Sequence, residues 1–468
     1  MRRLQWFGVA VLGVALAAAM VLTPMAAEKP EPAASDKEGE AVKWAPAVEP
    51  KPLSENVEKG LKWLVAHQLE CGGWGQGEES AQMQGSSRIY LEGARSAAPD
   101  AQQQIDVPAE PRSKPGERAE QPATENQPAA KPKEIPSVAD TCMAALALIR
   151  SGTTPAEGPR AKNVAAAVRF VCDEIEQSDD ESLYITDTRG TRVQSKLGPY
   201  IDTFMAALLL PEVVDTMPSK QENQRVEKAL AKVLKKMEKN QRADGTWSDQ
   251  GWAATLSQGA AVKAFNRAAQ QPAVAKYVDE NMRKKAEQQA QAGFDRQSGK
   301  FAAKGSAGVE LYAASSNLSA LSDSVNTNQQ REAEAQEDLA NAKDEKTREQ
   351  AKEKLDRFRE AKADRDAAQD AVIQRLDDKN FIAGFGNNGG EEFLSYMNIG
   401  ESLVVDGGDK WKSWDKSITE NLNRVQNEDG SWSGHHCITG RTFCTSAALL
   451  VLMVDRAPFP VSREIKRK

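Results

Sequence analysis

Gln426-Asn427-Glu428-Asp429-Gly430-Ser431-Trp432 is the stretch on which the reading of this chain turns. The same frame (Gln, three residues, Gly, one residue, Trp) recurs in Gln241-Arg242-Ala243-Asp244-Gly245-Thr246-Trp247 and, more loosely, in Gln68-Leu69-Glu70-Cys71-Gly72-Gly73-Trp74. A spacing kept this often marks an internal repeat. Leu64, Met237 and Leu422 stand four residues before the three Gln, which is helical spacing and puts each Gln in the last turn of an amphipathic helix. The Gly suits the left-handed conformation that stops a helix. The Trp offers a large apolar body and one N–H to the space between neighbouring helices.

A second repeat follows outward from the first. Asp140-Thr141-Cys142-Met143-Ala144-Ala145 is echoed by Asp202-Thr203-Phe204-Met205-Ala206-Ala207 and, loosely, by Phe443-Cys444-Thr445-Ser446-Ala447-Ala448. These segments are apolar nearly all round, as core helices are. Amphipathic stretches alternate with them: 54–68, 164–175, 226–237, 274–282 and 418–422 carry a helical face, while 252–265, 309–321, 391–405 and 437–454 are more apolar. The pattern predicts an all-α fold of six helix pairs over 53–456, with the amphipathic helix of each pair outside and the apolar one inside. Six such pairs close into a ring, an (α/α)6 toroid. An open solenoid of the same units would need polar capping repeats at both ends, and the last pair here is among the most apolar.

Two segments break the alternation. Residues 76–136 are rich in Gln, Pro, Ala and Glu, cannot bury enough apolar surface to order themselves, and read as a disordered insertion. Residues 327–370 are almost all charged residues, Ala and Gln, of high helix propensity, and read as a projecting charged helical hairpin with coiled-coil character that interrupts the fifth pair. That hairpin either docks a protein partner or is a solvated excursion. The Gly-rich run 384–390 follows no strand and reads as a mobile rim loop rather than a phosphate cradle.

The chain has 468 residues and a net charge of −7, which argues against a nucleic-acid partner. The basic tail at 457–468 reads as a solvated terminus. Arg2 and Arg3 precede an apolar run from Trp6 to Ala27, so 1–27 is an export signal or an N-terminal membrane anchor, with the membrane as its partner. Residues 28–52 form a Pro/Ala/Glu linker. The body is therefore expected outside the cytoplasm, periplasmic or on the outer face of the cytoplasmic membrane. The five cysteines include no CxxC pair, and Cys437 with Cys444 is a candidate local disulfide.

The repeated Gln-x-x-x-Gly-x-Trp frame (Gln68, Gly72, Trp74; Gln241, Gly245, Trp247; Gln426, Gly430, Trp432) and the six helix pairs resemble the terpenoid cyclase / protein prenyltransferase superfamily, and within it the squalene–hopene cyclase repeat. The resemblance covers 53–456 apart from the two insertions. It implies the (α/α)6 toroid and a central cavity reached from the loop end of the inner helices. The departures are chemical. The Asp-x-Asp-Asp acid motif of those cyclases is missing; Gln177-Ser178-Asp179-Asp180 is the nearest string. Aromatics are scarce, at 6%, where such a cyclase lines its cavity with them. Cys71-Gly72-Gly73 is not the Cys-Gly-Glu-Gln thioester of complement-like toroids.

Protein prenyltransferase β subunits hold zinc through an Asp-x-Cys at the start of an inner helix and a His from a later repeat. By that resemblance Asp140 and Cys142, with His435 or His436 before the last inner helix, are candidate zinc ligands with an open fourth position. Read from the residues alone, Asp140 is also a helix cap shared with Asp202, and Cys142 a small core residue. The expected function is an extracytoplasmic toroid that binds an apolar ligand or a polypeptide in its cavity without cyclase chemistry. The alternatives are a lipid- or isoprenoid-processing enzyme with zinc at the rim, and an envelope scaffold.

Overall fold

The computed structural model describes residues 44–77, 134–386 and 388–460, which belong to a single unit spanning 42–468. Most of these residues are helical, as the alternating pattern requires. In chain order the elements are β1 (Trp44–Pro46), α1 (Glu55–Ala66), α2 (Val138–Arg150), α3 (Ala161–Gln177), α4 (Arg192–Leu197), α5 (Ile201–Val213), α6 (Lys220–Asn240), α7 (Ala254–Gln270) and α8 (Glu280–Ala292). They continue with β2 (Phe294–Asp295), β3 (Lys300–Phe301), α9 (Glu310–Ala340), α10 (Glu345–Ile373), α11 (Lys379–Ala383), α12 (Gly390–Val404), α13 (Gly408–Arg424), α14 (Arg441–Leu452) and β4 (Pro458–Pro460).

Two kinds of helix alternate. α2, α5, α7, the first half of α9, α12 and α14 are buried on nearly every side. α1, α3, α6, α8, α10 and α13 bury one stripe and leave a charged face in water. Each buried helix packs on the buried helix before and after it in this order, and α14 also packs on α2. The amphipathic helices lie against them: α1 on α2 and α14, α3 on α2, α6 on α5, α8 on α7 and α9, α10 on α9, and α13 on α12 and α14. β1 pairs antiparallel with β4, so the two ends of the described body meet.

The repeat motif does the same work in all three copies. Each motif Gln donates from Nε2 to its own Gly carbonyl and to a carbonyl in the first turn of another amphipathic helix. Gln68 reaches Asn163 O (2.9 Å) in α3, Gln241 reaches Met282 O (3.0 Å) in α8, and Gln426 reaches Asn56 O (2.8 Å) in α1. Each Trp donates Nε1–H to the carbonyl ten residues before it, Leu64, Met237 or Leu422, at 2.7–2.9 Å. Each Gly has φ between +83° and +88°, and a Cβ there would collide with the helix that the Gln has just bridged, at Ala166, Lys285 or Lys59. So the Gly is required twice over, by conformation and by close approach.

Several sequence expectations need correction. The Gln do not sit in a last turn: Gln241 caps α6, while Gln68 and Gln426 lie beyond α1 and α13. The Gly closes a turn after the helix rather than stopping it, its N–H bonding Leu69, Arg242 or Asn427 O. The fourth amphipathic helix begins at Glu280, not Val274. The segment 327–370 is not an insertion. Its first part continues α9, and α10 is itself the fifth amphipathic helix, burying Ala351, Leu355, Phe358, Ala361, Arg365, Ala368 and Val372 in steps of three and four, with Asp364 beside them. Ala335, Leu355 and Phe358 make a small core of the hairpin's own.

The boundaries of 28–52 and 457–468 also shift, because β1 and β4 fall inside them and Lys51 N–H bonds Asp455. Of 76–136, the two ends are held together: Trp74 bridges Ser137, and Gly77 N–H bonds the Glu134 carboxylate. The rest of that segment, the signal or anchor at 1–27, the linker as far as 43 and the tail from 461 lie outside the described residues. Among the described residues no helix is long and apolar enough to cross a membrane.

Candidate functional site

The buried helices share a direction where their ends can be compared. Near their starts the Asp202 carboxylate of α5 accepts the N–H of Ala139 in α2 (2.9 Å). At their ends Arg150 of α2 pairs with Glu212 of α5. Polar side chains inside this apolar assembly therefore sort into two layers.

The layer toward the helix C-terminal ends is a closed ion network. Lys263 Nζ donates to Glu401 Oε2 (2.6 Å) and Asn398 Oδ1 (2.9 Å). Arg267 reaches Glu401 (2.8 Å), Glu212 (3.4 Å) and Asp323 (3.5 Å), and Arg150 lies 3.9 Å from Glu401. Three cations, Arg150, Lys263 and Arg267, meet three carboxylates, Glu212, Asp323 and Glu401, contributed by α2, α5, α7, α9 and α12. Burial alone would raise Glu401; Arg267, Lys263 and Arg150 outweigh it and hold the carboxyl down at about 2.

The layer at the N-terminal ends is acidic and not closed. Asp140 lies in the first turn of α2, Asp202 in that of α5, and Glu391 and Glu392 in that of α12, where a helix dipole favours negative charge. Glu392 Oε1 accepts the Tyr312 hydroxyl (2.5 Å) and Phe385 N–H (2.9 Å), and its Oε2 stands 3.7 Å from His436 Nε2. Glu391 Oε2 accepts Ile438 N–H (3.1 Å). Among the described residues Glu391 Oε1, Glu392 Oε2 and both Asp140 oxygens find no hydrogen bond of good geometry, although these side chains belong to residues at most 1% exposed. Burial pushes Asp140 up to about 8, with the Ser137 hydroxyl opposing and the Asp202 and Glu134 charges assisting. Burial, against the Ile438 N–H and with the Glu392 charge, takes Glu391 to about 8. The His436 ring is pushed down by burial, against the pull of Glu392. Burial and Glu392 raise the Tyr312 phenol. Aromatic rings edge this layer: Trp252 packs on Tyr312 (5.8 Å between centroids) and on Phe385 (5.1 Å), which packs on His436 (5.2 Å).

The zinc ligands expected from the sequence do not come together. Cys142 is fully buried in the core, its thiol pushed well above the ordinary range by burial and then by Asp202. His435 is exposed, its backbone N–H bound to Asn388 O, and His436 faces Glu392 rather than Asp140. Among the described residues no group of three or more His, Cys, Asp and Glu is arranged to hold a metal. With Cys142 enclosed in the core and His436 turned to Glu392, these residues do not assemble a zinc site. Nor is Asp140 a cap, because Ser137 caps α2 and Asp202 binds a neighbouring helix instead of its own.

All five cysteines are free, so Cys437 and Cys444 are not joined. Cys444 Sγ donates to Ile438 O (3.4 Å), and Cys437 sits at a strained φ of +56°. Sequence reasoning missed Glu391, Glu392, Tyr312, Trp252 and Phe385, along with the whole ion network. The available signal was charge inside helices read as apolar: Lys263 in one, Glu391, Glu392 and Glu401 in another. No protein-family model matches the chain, and neither does any curated protein.

Proposed function

We propose that the six helix pairs form an (α/α)6 toroid of the terpenoid cyclase / prenyltransferase kind, working outside the cytoplasm as a binding protein. It takes a polypeptide at the N-terminal rim of the inner helices and carries out no polyene cyclisation. What supports closure is the order of contacts, each buried helix on the next and α14 on α2, together with the Gln426 bond to Asn56, which ties the last motif to the first helix.

The observation that carries the function is the contrast between the two layers. The interior that would have to seat an apolar ligand holds six charged side chains in ion pairs. An apolar chain there would face desolvated charges that gain nothing from it. The rim, in contrast, offers carboxylate oxygens without hydrogen-bond partners among the described residues and an aromatic, Phe385, that is 58% exposed. Polar hydrogen-bonding groups beside exposed apolar surface suit a polypeptide better than a lipid.

A photo-cross-linking residue in place of Phe385, in cells that make the full chain, tests this. Adducts that a protease degrades are expected. Adducts that partition into organic solvent would overturn the reading in favour of a lipid ligand. A second reading, a scaffold that docks its partner on the hairpin, is favoured by a groove of about 870 Å³ between α8 and the hairpin, edged by Glu280, Lys284, Arg331, Glu353 and Arg357. A cross-linker at Lys352, on the exposed side of α10, giving the protein adduct while the one at Phe385 gives none would establish the scaffold instead.

A further inference from the structure

The groove between α8 and the hairpin sorts its charges by depth. Of the charged residues along it, Glu280, Lys284, Glu334 and Glu353 are exposed, while Arg331, Lys354 and Arg357 are half-buried. Its deeper wall therefore carries three cations and no acid. Beside them lie the amides of Gln270 and Gln330 and a small apolar patch made by Ala269, Ala275 and Val278. One carboxylate reaches these cations from the lip. Glu280 Oε1 accepts from Arg283 (3.2 Å) and Arg357 (3.1 Å), and its Oε2 accepts from Arg283 Nε (3.1 Å) and from Arg331. Burial would raise Glu280; the three guanidiniums outweigh it and hold the carboxyl at about 2. Three guanidiniums bring more N–H donors than two carboxylate oxygens accept. Arg283 spends its surplus inward, on Asn266 (2.9 Å) and Asn328 (2.8 Å). Arg331 has no other hydrogen-bond partner among the described residues, and Lys354 has neither a hydrogen bond nor an ion pair there. Arg357 Nε stands 3.3 Å from Glu287 Oε1 without good hydrogen-bond geometry, and the Gln330 amide nitrogen is buried without a partner.

We propose that the deeper wall of this groove binds an oxyanion, a phosphate or carboxylate carried on a small organic body. The site lies by the C-terminal end of α7, so it goes beyond the rim reading and does not rest on it. Three observations select the chemistry. Arg331, Lys354 and Gln330 have donors to spare, so the ligand must bring acceptors, and a guanidinium fork matches the oxygens of a phosphate or carboxylate. The groove, of about 870 Å³, has the size of a small-molecule site, and its apolar patch meets the body of such a ligand. Lastly, Glu280 already shows what this wall holds: an ionised carboxylate gripped from α8, α9 and α10 at once. It is a resident stand-in that reaches the cations from the exposed lip and leaves the depth unfilled. The entering oxyanion takes Arg331, Lys354 and Arg357, and Glu280 keeps Arg283. Glu334 and Glu353 repel an anion, but both are exposed, where water and salt screen them.

The test is calorimetric titration of the full chain, at neutral pH and fixed ionic strength, with phenyl phosphate, benzoate and the uncharged benzyl alcohol. One of the two anions is expected to bind about tenfold or more tightly than benzyl alcohol; which of them does so separates a phosphate ligand from a carboxylate ligand. Lys354→Gln, which breaks no hydrogen bond or ion pair among the described residues, is expected to weaken anion binding about threefold or more, and Arg331→Gln to do the same. Glu280→Gln removes the resident carboxylate and is expected to tighten it about threefold. Circular dichroism and melting temperature verify that the variants fold. If Arg331 and Arg357 serve only to clamp the hairpin to α8, neither anion outbinds benzyl alcohol, and that result overturns the site. Anion binding that ignores Lys354→Gln, or that weakens in a folded Glu280→Gln variant, would overturn it as well. None of these outcomes bears on the rim, whose own test is the cross-linker at Phe385.

Discussion

Replacing Asp140 by Asn separates a structural from a functional role for the rim acids without any knowledge of the ligand. The folded chain holds the Asp140 carboxyl at about 8 against 3.8 for an unperturbed aspartate. A raised acid favours the folded state fully below pH 3.8, and that advantage is lost as pH rises toward 8, because the folded chain keeps a proton that the unfolded chain has released. At pH 7 the gap is a little over three pH units, and at ~1.4 kcal/mol each it amounts to about 4 kcal/mol of destabilisation. Relaxation of a buried site reduces this, so Asp140→Asn should stabilise the protein by about 2–4 kcal/mol at pH 7. For a body of this size that is a rise of roughly 3–5 °C in Tm. The assay is urea and thermal unfolding of both proteins at pH 5, 7 and 8.5. The gain should be smallest at pH 5 and largest at pH 8.5. Asp202 is the internal control: its oxygens accept Ala139 N–H and Gln194 Nε2–H, and Asp202→Asn turns one acceptor into a donor facing a donor. It should cost about 1–3 kcal/mol. An Asp140→Asn variant less stable at every pH, or more stable by an amount that ignores pH, would refute the claim that burial holds a protonated acid there.

The other predictions concern the frame. Gln426→Ala removes the bonds to Asn56 O and Gly430 O and should cost about 1–3 kcal/mol in urea unfolding, with faster hydrogen exchange in α1; unchanged exchange there would deny that this Gln joins the two ends of the repeat array. Gly245→Ala combines a φ of +83° with a collision against Lys285, so the variant should lose soluble expression or, in urea unfolding, roughly 2 kcal/mol or more of stability. Arg267→Met leaves Glu401 and Asp323 short of their partner and should destabilise by about 3–5 kcal/mol. Because Glu401 is held at about 2, its contribution is present above pH 4.5 and is lost as pH falls toward 2; an acid-unfolding midpoint that does not move in Glu401→Gln would count against the network.

How much of this was legible in the sequence depended on what held each residue. The Gln-x-x-x-Gly-x-Trp frame could be read because its bonds are mostly local: Trp to a carbonyl ten residues back, Gln to a Gly four residues on. The all-α class could be read because hydrophobic periodicity is also local. The Gln was set one turn too early because its second bond, to Met282 or Asn56, is made in another helix and pulls it off the end of its own. α10 was read as an excursion because its buried stripe is Ala, Arg and a few large residues, a pattern that composition hides and only the step of three and four discloses. The ion network and the rim acids were invisible for a stronger reason. Glu401 meets Lys263 across 138 positions of sequence, and Glu391 meets Ile438 across 47. No window along the chain contains both partners, and a Glu inside an apolar helix looks the same whether it meets a Lys or meets nothing.

That last distinction is where fold and function meet along one set of helices. Peptide dipoles add along a helix to give a positive N-terminal end and a negative C-terminal end. Where the starts of α2, α5 and α12 carry Asp140, Asp202, Glu391 and Glu392, the dipoles lessen the cost of leaving carboxylates without cations. At the other end no dipole helps an acid, and there Glu212, Asp323 and Glu401 each lie within reach of Arg or Lys. The same separation lets the rim change while the frame stands: Asp140→Asn alters one buried rim acid and leaves every bond of the ion network and every motif Gln where it is.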